Sequence, residues 1–318
     1  MPACLRENPA AVSDADSARS FNGPSLLLAA SIIGNVALVI LLLVNSGDDI
    51  GDPSRTDTSA PAVVAIAEPA PREESDPVAD EEAGPTRVLV VGDSVGAQIG
   101  WGLQAWSEAN PGEIIVMNEA HLGCGVVRFG EKLVDGEFGP VGDICSNWNE
   151  PVALHLAADP EVVSWPSALE LFQPDVVLSV VSSWDITDRI VPGVVDDWAS
   201  VGDPAYDAYV LSEYTEATSV LAESGADVYW LMSATLNKNL LPENHFFRVG
   251  AINSIVRTAI GLVEADVPDA AITKLDYQTW LGETGAARDQ SIRDDGVHLS
   301  DLGRELIAPW LLEEMGLT

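Results

Sequence analysis

Five short aliphatic runs limit most strongly what this chain can become. They are Arg87 to Val91, Glu113 to Asn118, Asp175 to Val181, Ala226 to Met232 and Ala270 to Leu275. Near-continuous apolar runs of this length read as strands covered on both faces, because a strand with one wet face alternates polar and apolar residues. Stretches of helical length lie between or after them, at about 95–108, 206–224, 246–264 and 300–316. Strands and helices in that order predict an α/β fold, a three-layer αβα sandwich built on a parallel sheet.

Upstream, the texture is different. Leu26 to Val44 is a run of 19 residues without a charge. At about 1.5 Å per residue it covers roughly 28 Å, close to the roughly 30 Å hydrocarbon core of a bilayer. Residues 25–44 are therefore expected to form a single transmembrane helix, with 1–24 as a cytoplasmic tail. The alternative is a cleaved signal peptide. Against it stand Glu7, Asp14 and Asp16 in a long leader and the lack of a small-x-small site directly after Val44. Arg6 and Arg19 precede the run, whereas Arg55 follows it among Asp48, Asp49 and Asp52. That bias places the N-terminus inside and the bulk of the chain outside the cytoplasm. Residues 45–85 carry six prolines and clustered acids, so they read as an extended, self-repelling linker to a domain at 86–318.

Charge narrows the function classes. Fifty Asp and Glu face fifteen Lys and Arg, a formal net charge of −35, and no window clusters basic residues. A body so acidic repels phosphate backbones, which excludes a general nucleic-acid binder. Nine tryptophans against six phenylalanines read first as packing, with sugar-facing surfaces as the alternative. His121, His155 and His245 lack the spacing of metal ligands, and no metal site is expected.

Chemistry concentrates at two junctions. Gly92-Asp93-Ser94 ends the first strand and opens the first helix. There a serine hydroxyl stands beside free N–H groups and the positive end of the helix dipole, which suits a nucleophile whose transition state is an oxyanion. A plain helix cap is the blander reading of Ser94. Near the other end, Asp295 precedes His298 by three residues, close enough for the carboxylate to fix the imidazole tautomer while the other nitrogen serves a hydroxyl.

With these blocks in their order, residues 86–318 resemble the SGNH/GDSL hydrolase family. Gly92-Asp93-Ser94 is similar to its first block, Asn118 to Gly123 to its second, and Asp295-Gly296-Val297-His298 to its last. The resemblance implies a flavodoxin-like sheet and no metal or organic cofactor. It also implies a catalytic triad of Ser94, His298 and Asp295, with the N–H groups of Ser94 and Gly123 in the oxyanion hole. One block departs. Where the family has Gly-x-Asn-Asp, this chain has Ser182-Ser183-Trp184-Asp185, so Trp184 occupies the place of the third oxyanion donor. Trp184, Asn147 and Asn149 are the candidates to replace it. A similar departure marks SGNH domains associated with family-3 membrane acyltransferases.

Cys124 and Cys145 lie 21 positions apart, and as a disulfide they would fit an exported domain. Two reduced thiols in a cytoplasmic protein are the alternative. The expectation is a membrane-anchored, extracytoplasmic serine esterase or O-acyltransferase acting on acyl esters, with acetylated cell-envelope polysaccharide as the first substrate class to consider. A lipase-like esterase and an inactive glycan-binding surface protein are the alternatives.

Overall fold

The computed structural model describes residues 84–134, 137–150, 163–181, 183–235 and 245–318. The expected tail at 1–24, the membrane helix at 25–44, nearly all of the linker, and His155 lie outside the described residues. In chain order the first elements are β1 (Thr86–Gly92), α1 (Ser94–Ala109), β2 (Ile114–Ala120), β3 (Glu131–Val134), β4 (Glu137–Pro140) and α2 (Asp143–Ser146). Next come α3 (Trp165–Phe172), β5 (Val176–Val180), a 3-10 turn at Ser183–Ile186, β6 (Arg189–Val191), β7 (Val195–Ala199) and α4 (Pro204–Ala222). The chain closes with β8 (Asp227–Leu231), α5 (His245–Asp266), β9 (Ile272–Leu275), α6 (Tyr277–Glu283) and α7 (Asp301–Glu314).

Five of these strands form one parallel sheet in the order β2-β1-β5-β8-β9, the doubly wound arrangement of a flavodoxin-like fold. All five expected strands are present, with ends moved by one or two residues. Alternation along each strand divides the core. Leu89, Val91, Val177, Val228 and Trp230 pack toward α3, α4 and α5. Val88, Val90, Val176, Leu178 and Leu231 pack toward α1, α6 and α7. Each buried aliphatic side chain contributes about 1.5–3 kcal/mol, so neither face tolerates a register slip of one residue. Helix α5 is long and apolar enough, by length and composition, to cross a membrane. Its Val249, Ile252, Val256, Ile260 and Val263 instead fill the core beside α4.

A second, four-stranded antiparallel sheet, β4-β3-β6-β7, was not expected. Its strands are three to five residues long and carry Glu131, Lys132, Arg189, Asp196 and Asp197, so they show no apolar run. This sheet lies in the chain between the ends of β2 and β5 and α4, and it supplies part of the support for the site.

Candidate active site

In an open α/β sheet, reactive groups collect beyond the carboxyl ends of the strands, and β1 ends there in a turn. Gly92 has φ +137°, and a Cβ there would stand 3.0 Å from the Val180 Cβ and 3.1 Å from the Val180 carbonyl oxygen. Only glycine fits. The turn delivers Ser94 to the first position of α1. Asp93 caps that helix, its carboxylate accepting from Val95 N–H at 2.9 Å and Gly96 N–H at 3.4 Å. The helix cannot satisfy its own first N–H groups, and among the described residues that of Ser94 has no acceptor, since the cap serves Val95 and Gly96.

The second junction is a loop knotted around one carboxylate. Asp295 Oδ1 accepts from the N–H groups of Val297 and His298, both at 2.8 Å, and Gly296 turns the chain at φ +79°. Arg293, buried behind the turn, donates to the Gly296 carbonyl. The other carboxylate oxygen, Oδ2, lies 2.8 Å from His298 Nδ1. His298 Nε2 then stands 2.7 Å from Ser94 Oγ, across a sequence distance of 204 residues. An ionised carboxylate only accepts, so Nδ1 carries the proton and Nε2 offers its lone pair to the serine hydroxyl.

Burial pushes the Asp295 carboxyl up. The backbone N–H and imidazole of His298 and the N–H of Val297 outweigh it and hold the group down at about 2. A carboxyl held below its unfolded value stabilises the fold at pH above about 4 and ceases to do so as pH falls toward about 2. Asp295→Asn removes that dependence. Thermal melting of the variant should vary less between pH 5 and 2.5 than that of the wild type, and parallel melting curves would contradict the assignment.

Facing the triad is an open cleft of about 730 Å³, walled by Ser94, Gln98, Trp101, Leu122, Gly123, Trp184, His298 and Arg304 among others. Gly123 has φ +79°, and a side chain there would meet nothing within 4 Å. Among the described residues its N–H has no acceptor, whereas its carbonyl accepts from Lys132 Nζ at 2.8 Å. The same ammonium lies 4.5 Å from the centre of the Trp184 ring. Burial, followed by the charge of Arg189, pushes the Lys132 ammonium below its ordinary pKa, while Asp185 opposes them. Lys132 thus fastens the Gly123 peptide to Trp184. No motif marked this residue; it sits in a charged strand that read as loop.

Asp185 holds the same loop from beneath. Fully buried, it accepts from Val126 N–H at 2.8 Å, Val127 N–H at 3.3 Å, Tyr214 Oη at 2.9 Å and Arg189 Nη2 at 3.1 Å. A Cβ on Gly125 would overlap its carboxylate, so the loop passes here only as glycine. Cys124 and Cys145 are joined by a disulfide, which ties the residue after Gly123 to α2. Closing a loop of 21 residues is worth about 3 kcal/mol in the chain-entropy model.

The remaining candidates lie elsewhere. Asn149 donates to Glu216 on α4, and Asn147 ends α2; neither lines the cleft, which leaves Trp184 at that wall. His121 borders a small cavity with Cys124, Cys145, Trp148 and Trp165 behind the loop. His245 opens α5. Eight of the nine tryptophans are buried or half-buried, and Trp101 alone is exposed, at 43%.

No family model matches the chain. No curated protein matches it. Solved structures do. A protein from Slackia heliotrinireducens described as an SGNH hydrolase is 14% identical at TM-score 0.40, covering 73% of this chain and 99% of that one. An acetyl xylan esterase from Geobacillus stearothermophilus is 15% identical at TM-score 0.43, over 74% of this chain and 96% of that one. A psychrotrophic esterase from Pseudoalteromonas is 13% identical at TM-score 0.39, over 73% and 97%. In its ordered motifs the chain resembles SGNH/GDSL hydrolases. What the site can do follows from its own distances: a serine, a correctly oriented base and an ionised carboxylate form a charge-assisted chain that can generate an alkoxide-like nucleophile beside two N–H donors.

Proposed function

We propose that this chain is a serine esterase of SGNH type. The observation that carries the reading is the contact of His298 Nε2 with Ser94 Oγ at 2.7 Å, backed by Asp295 at 2.8 Å. Ser94 Oγ attacks the carbonyl carbon of an ester while its proton passes to His298 Nε2. The N–H groups of Ser94 and Gly123 receive the oxyanion, with the Trp184 indole beside them. Collapse breaks the ester C–O bond, and His298 returns the proton to the departing alcohol. A second hydroxyl then gives its proton to His298 Nε2 as it attacks the acyl-serine. The bond from the acyl carbon to Ser94 Oγ breaks and Oγ takes that proton back, releasing the acid when the hydroxyl belongs to water and completing O-acyl transfer when it belongs to a sugar. The open cleft admits either acceptor. An O-acetylated polysaccharide is the substrate class proposed, because a cleft with a polar rim and an exposed indole suits neutral carbohydrate better than a lipid acyl chain.

The test is covalent. A fluorophosphonate probe labels the wild-type chain at Ser94 and leaves Ser94→Ala unlabelled. Trp184 in the third oxyanion position favours the rival, an inactive glycan binder, and a wild-type chain that resists the probe while retaining glycan establishes that rival.

We further propose that the chain sits at the cell membrane through residues 25–44, with 86–318 outside the cytoplasm. The uncharged run, the Arg6 and Arg19 bias and the Cys124–Cys145 bond support this placement. The full chain should resist carbonate extraction from membranes and should lose its C-terminal domain to protease added outside spheroplasts. Release into the medium would instead establish the cleaved signal peptide.

A further inference from the structure

The triad cleft does not end at the serine. It shares Trp101, Asp301 and Arg304 with a second depression of about 690 Å³ between α1 and α7, so the two adjoin along these side chains and together make up a trough. Its floor and far walls are Gly102, Ala105, Trp106, Ala109, Glu305 and Ala308. The geometry of α1 explains why a trough exists. Gly102 faces α7, and a Cβ there would stand 2.9 Å from the Arg304 carbonyl oxygen, so the helices meet backbone to backbone at this point. Positions 98, 101, 102, 105 and 109 then fall on one side of α1, and the small ones among them leave room above the contact.

Trp101 stands at the join. It is the single exposed tryptophan, yet it is not loose: the Arg304 guanidinium lies 5.7 Å from its ring centre. Arg304 is itself fixed by Gln98 Oε1 at 2.7 Å and by the Asp301 carboxylate. A pre-set indole face beside a guanidinium, two carboxylates and an amide is the surface that recognises a sugar ring, with C–H bonds on the indole and hydroxyls on the polar groups. A free acyl chain would find one face of the trough charged and open to water, and an anionic polymer would meet Asp301, Glu305 and a protein of net charge −35.

We infer that the α1–α7 trough is a subsite for the unreacted sugars of a neutral, O-acylated glycan whose ester lies at Ser94. From Gln98 to Ala109 the helix rises roughly 16 Å, room for about three sugar units in line. This inference rests on the esterase reading, and the experiment separates the two.

The purified full chain is assayed on 4-nitrophenyl acetate and on O-acetylated xylo-, cello- and chito-oligosaccharides of increasing length. In the wild type, kcat/KM should rise with length in at least one series. In Trp101→Ala, the ratio of kcat/KM on the longest sugar to that on 4-nitrophenyl acetate should fall about tenfold, the scale of one lost aromatic contact. Ala105→Leu, which fills the trough at an exposed position, should lower the same ratio and covers the case in which Trp101→Ala folds poorly. Ser94→Ala supplies a readout without turnover, since its binding of an unacetylated oligosaccharide should weaken when Trp101→Ala is added. Ester hydrolysis with no length dependence in any series, or length dependence that both substitutions leave intact, overturns the subsite. Sensitivity of the variants to the acyl length of 4-nitrophenyl esters instead of sugar length also overturns it, in favour of an acyl groove. No hydrolysis and no fluorophosphonate labelling of the wild type overturns the parent esterase reading.

Discussion

Ser94→Ala should lower turnover of 4-nitrophenyl acetate by about 10⁴–10⁶-fold, leaving only the rate that oxyanion donors and substrate positioning provide. The size follows from what the hydroxyl does. Without it no acyl-enzyme forms, and the base at His298 Nε2 has lost its partner at 2.7 Å. His298→Ala should cost nearly as much, because an unassisted serine hydroxyl is a weak nucleophile. The double substitution should cost little beyond either single one, since residues acting as a unit are grossly non-additive. Far-ultraviolet circular dichroism and melting should stay near wild type for Ser94→Ala, because the substitution removes one oxygen at the mouth of a cleft and leaves the Asp93 cap of α1 in place. Steady-state rates on the activated ester provide the check. Equal rates for Ser94→Ala and wild type would end the mechanism, and fully additive losses would show that the two side chains do not work together.

The parts of this site that were legible from the sequence are those that local chemistry dictates. Gly92-Asp93-Ser94 announces a strand end, a cap and a helix start in three residues, and Asp295 reaches His298 within one turn of chain. The central strands were legible for a similar reason, because a strand covered on both faces has to be apolar throughout. Lys132, Arg304 and Gln98 escaped notice because their roles arise only from tertiary approach. Lys132 meets Gly123 across a loop, and Arg304 meets Gln98 across two helices far apart in sequence. The antiparallel sheet escaped for a different reason. Its strands are held by backbone pairing and buried ion pairs, with Arg189 and Asp185 almost wholly out of water, and that pattern reads as polar loop. Trp184 stands between the two cases: its departure from the family block was visible at once, but its partner Lys132 was not.

Asp185→Ala should be the most damaging substitution for stability, at about 3–5 kcal/mol, because it strands a buried charge. Arg189 is 1% exposed and would keep its guanidinium in the core, where donation to the carbonyls of Val127, Phe129 and Trp184 cannot replace a counter-charge. The loss extends beyond the ion pair. The N–H groups of Val126 and Val127 and the hydroxyl of Tyr214 would also lose their acceptor, each at about 1–3 kcal/mol if left unsatisfied. A double substitution separates these two origins. Asp185→Leu with Arg189→Met removes both charges and fills their space with apolar volume, a change that is often neutral or stabilising where a buried ion pair is all that is lost. Here it should recover only part of the deficit, since nothing in the pair of aliphatic side chains accepts from Val126, Val127 or Tyr214. Because those two N–H groups lie on the strand of chain that leads from Gly123, the double variant should also hydrolyse esters more slowly while keeping Ser94 reactive toward a fluorophosphonate. Denaturant unfolding measured beside steady-state kinetics tests both halves. Full recovery of stability in the double variant would mean that the carboxylate serves only Arg189, and unchanged turnover would mean that the loop carrying Gly123 holds its shape without the anchor beneath it.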